Sequence, residues 1–278
     1  MDAIATSEIT LPEVVTREKW LKARMTLLAA EKALTKQRDA VNMARRDLPM
    51  VEIDKDYVFT GPDGPAKLFD LFAGKRQLIV YHFMLEPDDS PLAKKQGVTD
   101  AGCPGCSHLA DCLPRAEHLH ARDTHLVMIS RSPLAKIERF RQRMGWNVPW
   151  YSSYGGDFNY DFHVTIDASI APVNYNFQDQ ATLNEKEETY HLEGEQPGCS
   201  VFLRDGDRLF HTYSTYGRGL DPLLSTNQYL DLTPMGRGEG WDGMPDLNGQ
   251  GTMWWRLHDE YEHSSKAHAC CHSQSGNA

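Results

Sequence analysis

The segment that most constrains the fold is the apolar run at residues 77–85, Gln-Leu-Ile-Val-Tyr-His-Phe-Met-Leu. The run has the length of a β-strand and is far shorter than the roughly 20 residues that a transmembrane helix needs. Residues 78–84 are apolar on both faces of such a strand, as in a sheet that is covered on both sides. We therefore expect an α/β fold with this segment as a central strand.

Strand and helix patterns alternate after this run. A second buried strand is predicted over residues 124–130, and a helix begins at Ser132-Pro133 and ends near Met144. Short connections between such elements imply parallel strands joined by right-handed crossovers. Residues 200–213 are predicted to form a hairpin around Asp205-Gly206, which adds antiparallel strands to a mixed sheet.

Composition shifts divide the chain into three regions. Residues 1–49 are predicted to be an N-terminal helical arm, and residues 50–235 are predicted to be the α/β domain. Residues 236–278 form a Gly/Trp-rich extension whose end is predicted to be disordered.

The arm is predicted to be a helix that starts after Thr16, a good N-cap residue, and reaches about Arg46. One apolar residue recurs every seven positions: Trp20, Leu27, Leu34 and Val41. This amphipathic pattern favours a helix docked on its own domain. The alternative is a pairing of the helix with a second subunit, which would make the protein a homodimer.

Charge and hydropathy exclude two classes of partner. The chain has 29 Lys and Arg against 39 Asp and Glu, a net charge of −10, so a general affinity for nucleic acid is not expected. We find no apolar stretch long enough to span a membrane. The N-terminus lacks the basic and apolar regions of a secretory signal, which predicts a cytoplasmic location.

Six cysteines lie at positions 103, 106, 112, 199, 270 and 271. In a reducing compartment they are expected to be free thiols, a catalytic pair or metal ligands. Cys103 and Cys106 belong to the sequence Gly-Cys-Pro-Gly-Cys-Ser, which follows the buried strand and opens a helix predicted to reach about Ala121. A cysteine pair with this spacing and context is typical of a redox site.

The helix N-terminus favours the thiolate of Cys103, which we predict to be the nucleophile. Cys106, one turn deeper, is predicted to be the resolving thiol that displaces the mixed intermediate. The substrate would be a protein or small-molecule disulfide, with peroxide as a variant. The reaction would need no bound organic cofactor and would draw electrons from a cellular thiol system.

A different class of function is a non-catalytic binding or assembly module. In it the cysteines merely pack, or they bind zinc together with neighbouring ligands: Cys103, Cys106, His108 and Cys112. The tail residues have ligand composition too: His268, Cys270, Cys271 and His272.

Three further residues are candidates for supporting roles. His82 lies in the central strand and is a candidate proton carrier, although a core histidine is the default. Arg131 follows the second buried strand, at the edge where ligands bind in such sheets, and is a candidate anion anchor. Cys199 precedes the predicted hairpin and is either buried beside the site or a third thiol.

Motifs along almost the whole chain resemble a bacterial thioredoxin-like family known as domain of unknown function 899, within the thioredoxin superfamily. They are residues 78–84, the Gly-Cys-Pro-Gly-Cys-Ser sequence at 102–107, Arg-Met-Gly-Trp at 143–146, and residues 152–155, 157–162, 210–216, 219–222 and 258–261. The resemblance implies a thioredoxin-like fold but no activity. Two departures from ordinary thioredoxins are the long link from Leu85 to Gly102 and the position of Pro197, two residues before the place where thioredoxins have a cis-proline.

Overall fold

The computed structural model describes residues 12–97, 99–240 and 254–261. Predictions for the tail beyond residue 261, including Cys270 and Cys271, lie outside the described residues. The strands are β1 (Val51–Ile53), β2 (Val58–Gly61), β3 (Gly64–Lys67), β4 (Gln77–His82), β5 (Thr124–Ser130), β6 (Trp150–Ser152), β7 (Thr165–Ile166), β8 (Asn174–Tyr175), β9 (Gln178–Asp179), β10 (Gly194–Glu195), β11 (Gly198–Asp205) and β12 (Arg208–Tyr216).

Eight of these strands form one mixed sheet in the order β1-β12-β11-β4-β5-β6-β2-β3. The predicted central strand is confirmed: β4 pairs in parallel with β5 on one side and antiparallel with β11 on the other. The predicted hairpin is β11–β12, but its turn consists of Gly206 and Asp207, because Asp205 still pairs with Arg208. Gly206 has a φ of 60°, which glycine adopts without steric cost.

Helices cover both faces of the sheet. They are α1 (Arg17–Arg46), α2 (Pro91–Gln96), α3 (Pro104–Asp111), α4 (Ala116–His120), α5 (Leu134–Met144), α6 (Phe158–Asp161), α7 (Gln180–Glu185) and α8 (Ser225–Leu230), with 3-10 turns at Asp70–Phe72, Thr189–Leu192, Gly217–Leu223 and His258–Glu260. The prediction of one helix from the cysteine motif to Ala121 is wrong. The chain leaves the helix after Asp111, because Pro114 lacks an N–H and disfavours helical backbone in the residue before it.

The sheet separates two apolar clusters. Alternation along β4 places Leu78 and Val80 in one cluster and Tyr81 in the other, which also holds Cys106 and Cys199. Together, β4, α3 and β5 followed later by the β11–β12 hairpin make the thioredoxin-like arrangement that the resemblance implied. None of the helices among the described residues is long and apolar enough to cross a membrane.

The N-terminal helix α1 does not dock on its own domain, so that prediction is wrong. Thr16 caps the helix as expected, its hydroxyl accepting a hydrogen bond from the Lys19 N–H at 3.3 Å. However, none of the residues of α1 is buried. The apolar stripe, from Trp20 at 44% exposure to Leu34 at 63%, faces away from the domain's own core.

Candidate active site

The two motif cysteines are fixed to the end of the central strand through Met84. The backbone N–H of Cys103 donates to the Met84 carbonyl at 3.1 Å, and the Met84 N–H donates to Cys106 Sγ at 3.4 Å. Cys103 is the N-cap residue of α3, and Pro104 occupies the first helical position, where its missing N–H costs nothing. Cys103 is half-buried and Cys106 is buried.

Both cysteines are free thiols, and their protonation differs. The pKa of Cys103 is lowered from 9.0 to about 7, because the Cys106 thiol and the backbone N–H groups of Cys106 and Gly105 donate hydrogen bonds to it and outweigh its burial. Burial raises the pKa of Cys106, and its hydrogen bond to the Cys103 thiolate raises the pKa further. Near neutral pH, therefore, a large fraction of Cys103 is thiolate, whereas Cys106 holds its proton.

Tyr81, which the sequence reasoning missed, lies behind the pair. Its hydroxyl is hydrogen-bonded to Cys106, and this bond lowers the pKa of Cys106 against the effect of burial. Cys199 on β11 pairs directly with Tyr81 on β4, so the two side chains share a face of the sheet. Burial raises the pKa of Cys199 to about 12, and this cysteine is therefore a protonated thiol beside the site.

His82 lies on the opposite face of β4 from Tyr81. Its Nε2 is 2.8 Å from Ser200 Oγ, and its ring lies beside those of Phe158 and Phe162. Burial, with a smaller contribution from the charge of His211, lowers the pKa of His82 to about 3. The structure thus does not bring His82 together with the cysteines.

Arg131 follows β5 as expected, but it belongs to a separate polar cluster. Its Nη1 lies 3.6 Å from Glu195 Oε1, and its guanidinium lies over the ring of Tyr160 at 5.2 Å. The lining of the cavity beside the cysteines does not include Arg131.

The four ligands of the zinc alternative are not gathered into a metal site. Among the residues that the structure describes, none of the groups of His, Cys, Asp and Glu has the arrangement of a metal site. Cys112 instead contacts Thr226, with Sγ 3.4 Å from Oγ1. Burial alone would raise the pKa of Cys112, but hydrogen bonds from His108, Ser225 and Thr226 lower it to about 6.

A cavity of about 660 Å³ opens beside Cys103 and Cys106. Its wall is formed by the cysteine motif, the 3-10 turns on either side of the β11–β12 hairpin, and the C-terminal extension. The other residues that line it are Tyr81, Met84, Leu109, Tyr190, His191, Pro197, Gly217, Arg218, Leu220, Asp221, Leu224, Asn227, Arg237, Glu239 and Trp255. Every described peptide bond is trans, including the bond before Pro197, which lines this cavity.

Trp255 covers the cysteine motif from the C-terminal side. A Cβ at Gly105 would lie only 3.0 Å from two carbons of the Trp255 ring, so a larger residue there would force the ring to move by a few tenths of an ångström. The sequence identified a Gly/Trp-rich extension, but it held no signal for the contact of Trp255 with a motif 150 positions earlier.

Comparisons with solved structures give distant similarities. Peroxiredoxin Q from Xanthomonas campestris is 13% identical, with a TM-score of 0.38 over 65% of this chain and 96% of that chain. Peroxidoxin BcpB from Mycobacterium tuberculosis is 17% identical, with a TM-score of 0.32 over 64% of this chain and 95% of that chain. No curated protein sequence is a significant match.

The match to a family profile is far more extensive. The family is described as "Bacterial protein of unknown function (DUF899)", and its profile matches residues 9–261. That range includes the central strand, the cysteine motif, the hairpin and the described part of the extension. The chain therefore belongs to the DUF899 family.

Proposed function

We propose that the protein is a dithiol–disulfide oxidoreductase in which Cys103 is the nucleophile and Cys106 the resolving thiol. The observation that supports it most is the asymmetric pair at the start of α3, with the pKa of Cys103 lowered to about 7 and that of Cys106 raised. A thiolate with a pKa near ambient pH combines a high thiolate fraction with good nucleophilicity.

In the first step the Cys103 thiolate attacks one sulfur of a disulfide RSSR. The S–S bond breaks, a mixed disulfide Cys103–S–SR forms, and RS⁻ leaves and takes up a proton. Cys106 then loses its proton, attacks Cys103 Sγ and releases the second RSH. The Cys103–Cys106 disulfide remains, so the pair has supplied two electrons, and an external dithiol returns them.

The neighbouring groups have supporting roles in this scheme. The Tyr81 hydroxyl and the Met84 N–H stabilise the Cys106 thiolate at the second step. His82 and Arg131 receive no role, because they lie on the other face of β4 and in the Glu195 cluster. The proposal requires no organic cofactor, and it places the protein in the cytoplasm, where thiol systems supply reducing equivalents.

The test is a titration of the purified protein across glutathione redox buffers, with peptide mass spectrometry and metal analysis on the same samples. We expect a Cys103–Cys106 disulfide with a defined midpoint, which is absent in C103S and C106S and retained in C112S. A pair that stays reduced at every potential, or that carries zinc stoichiometrically, would favour the non-catalytic module instead.

We also propose that α1 pairs with α1 of a second copy. Its apolar stripe is exposed over the full length of the helix, from Trp20 to Val41. A helix of 30 residues is about 45 Å long, so a paired stripe of this length would bury a continuous apolar seam.

A further inference from the structure

The cavity beside the cysteines has a mainly apolar wall. Apolar side chains approach from the strand end, from α3 and from the turn before α8: Met84, Leu109, Leu220 and Leu224. Its volume of about 660 Å³ is within the range of pockets that bury small organic molecules. Cys103 lines this space, so a molecule bound there would lie beside the proposed nucleophile.

Residues 254–261 pack beside the cysteine motif, and ion pairs and hydrogen bonds fix them to α5 and to the end of α3. Arg143 on α5 donates to Asp259 at 2.7 Å and to Glu260 at 3.0 Å. His258 Nδ1 lies 2.8 Å from Asp111 Oδ1 at the end of α3. These contacts hold the segment that carries Trp255 against the cysteine motif, where a flat protein surface would otherwise approach.

Two charged groups of the wall, Arg237 and Asp221, form an ion pair, and Arg218 and Glu239 line the cavity as well. Arg237 donates to Asp221 at 2.6 Å and to Asp231 at 2.7 Å, and Glu239 accepts from Trp254 at 2.9 Å. The described lining thus has two arginines and two carboxylates, and it carries no excess of positive charge that would favour a disulfide with several carboxylates.

Two buried polar atoms of cavity-lining residues lack a hydrogen-bond partner among the described residues. They are Asn227 Oδ1, on a residue that is 1% exposed, and Trp255 Nε1. Both atoms lie beneath the surface of the wall, so the exposed lining that a ligand would meet is mainly apolar.

We infer that the substrate of the cysteine pair is a small, largely apolar organic disulfide bound in this cavity, not a protein disulfide. This inference rests on the proposed oxidoreductase function and specifies its substrate. The attack by Cys103 and the resolution by Cys106 follow the two balanced steps given above, and both thiol products leave through the cavity. The apolar wall provides most of the binding.

The test compares three disulfides on the reduced full-length protein: dithiodipyridine, which is neutral and aromatic, glutathione disulfide, which is charged, and insulin. The readout is the rate at which the Cys103–Cys106 disulfide appears, by acid quench and peptide mass spectrometry. Each rate is divided by that of free dithiothreitol with the same disulfide, which corrects for intrinsic reactivity. We expect the rate to saturate with dithiodipyridine and to rise linearly with the other two.

Variants of the cavity wall test whether the saturation of the rate with dithiodipyridine arises from binding in the cavity. L224Q places an amide on the cavity wall and should raise the half-saturating concentration about tenfold, with the alkylation profile of Cys103 unchanged. L232Q is the matched control, since Leu232 is 81% exposed, and it should leave the concentration unchanged. W255A removes the cover and should increase the rate with insulin, which provides a second readout if L224Q unfolds.

Three outcomes would overturn the inference. Insulin oxidising the pair as efficiently as dithiodipyridine would show that the cover does not exclude proteins. Turnover of cumene hydroperoxide without reaction with dithiodipyridine would show that the substrate is a peroxide and not a disulfide. Failure of all three disulfides to form the Cys103–Cys106 bond would overturn the proposed function itself, and this inference with it.

Discussion

The backbone N–H of Cys103 donates a hydrogen bond to the carbonyl of Met84 at 3.1 Å, although 18 residues separate them in the sequence. The long link that distinguishes this chain from ordinary thioredoxins therefore returns to its starting point. The start of α3 therefore lies beside the end of β4, which is also where a short link would place it. The excursion contains α2 and does not displace the cysteine pair from the central strand.

The first prediction concerns the reactivity of Cys103. The rate of its alkylation by iodoacetamide should rise with pH to a midpoint near 7, because the Cys106 thiol donates a hydrogen bond to its thiolate. C106A removes this donor and should move the midpoint toward the ordinary value of a cysteine. C106S keeps a hydroxyl donor and should move it less. Equal midpoints in wild type and C106A would contradict the asymmetry of the pair.

The second prediction concerns Tyr81. Its hydroxyl lowers the pKa of Cys106, so Y81F should slow the release of the mixed disulfide by about tenfold and leave the alkylation midpoint of Cys103 unchanged. The measurement is the decay of a trapped Cys103 mixed disulfide by mass spectrometry. Y57F is the matched control, because the Tyr57 hydroxyl donates to Asp161 in the other apolar cluster. An unchanged decay rate in Y81F would remove Tyr81 from the scheme.

The sequence predicted the elements that depend on local pattern. The apolar run of β4, the proline-led start of α5 and the cysteine motif at the start of α3 are all defined by neighbouring residues. The face of each β4 residue was also predictable from strand alternation, since Tyr81 and His82 must point to opposite sides. His82 was a candidate because of its chemistry, with a core histidine as the default, and the structure confirms the default.

Other features depend on contacts between distant segments, for which the sequence carries no local signal. Trp255 packs on Gly105, and the Asn159 side-chain amide donates a hydrogen bond to Glu195, the partner of Arg131. Both contacts join residues that are far apart in the chain. The apolar residues of α1 have the same spacing in the sequence as those of a helix that docks on its own domain. Amphipathic periodicity indicates that a face is covered, but it does not indicate by what.

The third prediction concerns pH and stability through Glu195. This carboxyl is 3% exposed, and burial together with the nearby Glu86 raises its pKa from 4.5 to about 8, against the effects of Arg131, Thr165 and Asn159. Between these two pH values the folded state holds a proton that the unfolded state has released. The contribution of Glu195 to stability is therefore complete below pH 4.5 and is lost as the pH rises toward 8.

The slope of the free energy of unfolding in this range should include a loss of about 1.4 kcal/mol per pH unit from Glu195. E195Q does not titrate and should flatten the slope, as measured by urea unfolding at a series of pH values. E188Q, at an exposed position, is the control and should leave the slope unchanged. A slope in E195Q equal to that of wild type would contradict the raised pKa.

The fourth prediction concerns self-association through α1. The helix is net positive, with nine Lys and Arg against three Asp and Glu, so only its apolar stripe can hold two copies of it together. Burial of one leucine contributes about 1.5–3 kcal/mol, and lysine at the same place adds a repelling charge. The double variant L27K/L34K should therefore be monomeric at concentrations where wild type is dimeric. Size-exclusion chromatography with light scattering measures the mass.

The control for this prediction is T26K/T35K, which adds the same two charges to the same helix beside the stripe and should remain dimeric. Thermal unfolding of L27K/L34K should match that of wild-type monomer, because neither leucine is buried within its own chain. A monomeric wild type at high protein concentration, or a double variant that stays dimeric, would exclude the α1 stripe as the interface. Since Cys103 lies in a different region of the chain, the alkylation midpoint near pH 7 should be the same in monomer and dimer.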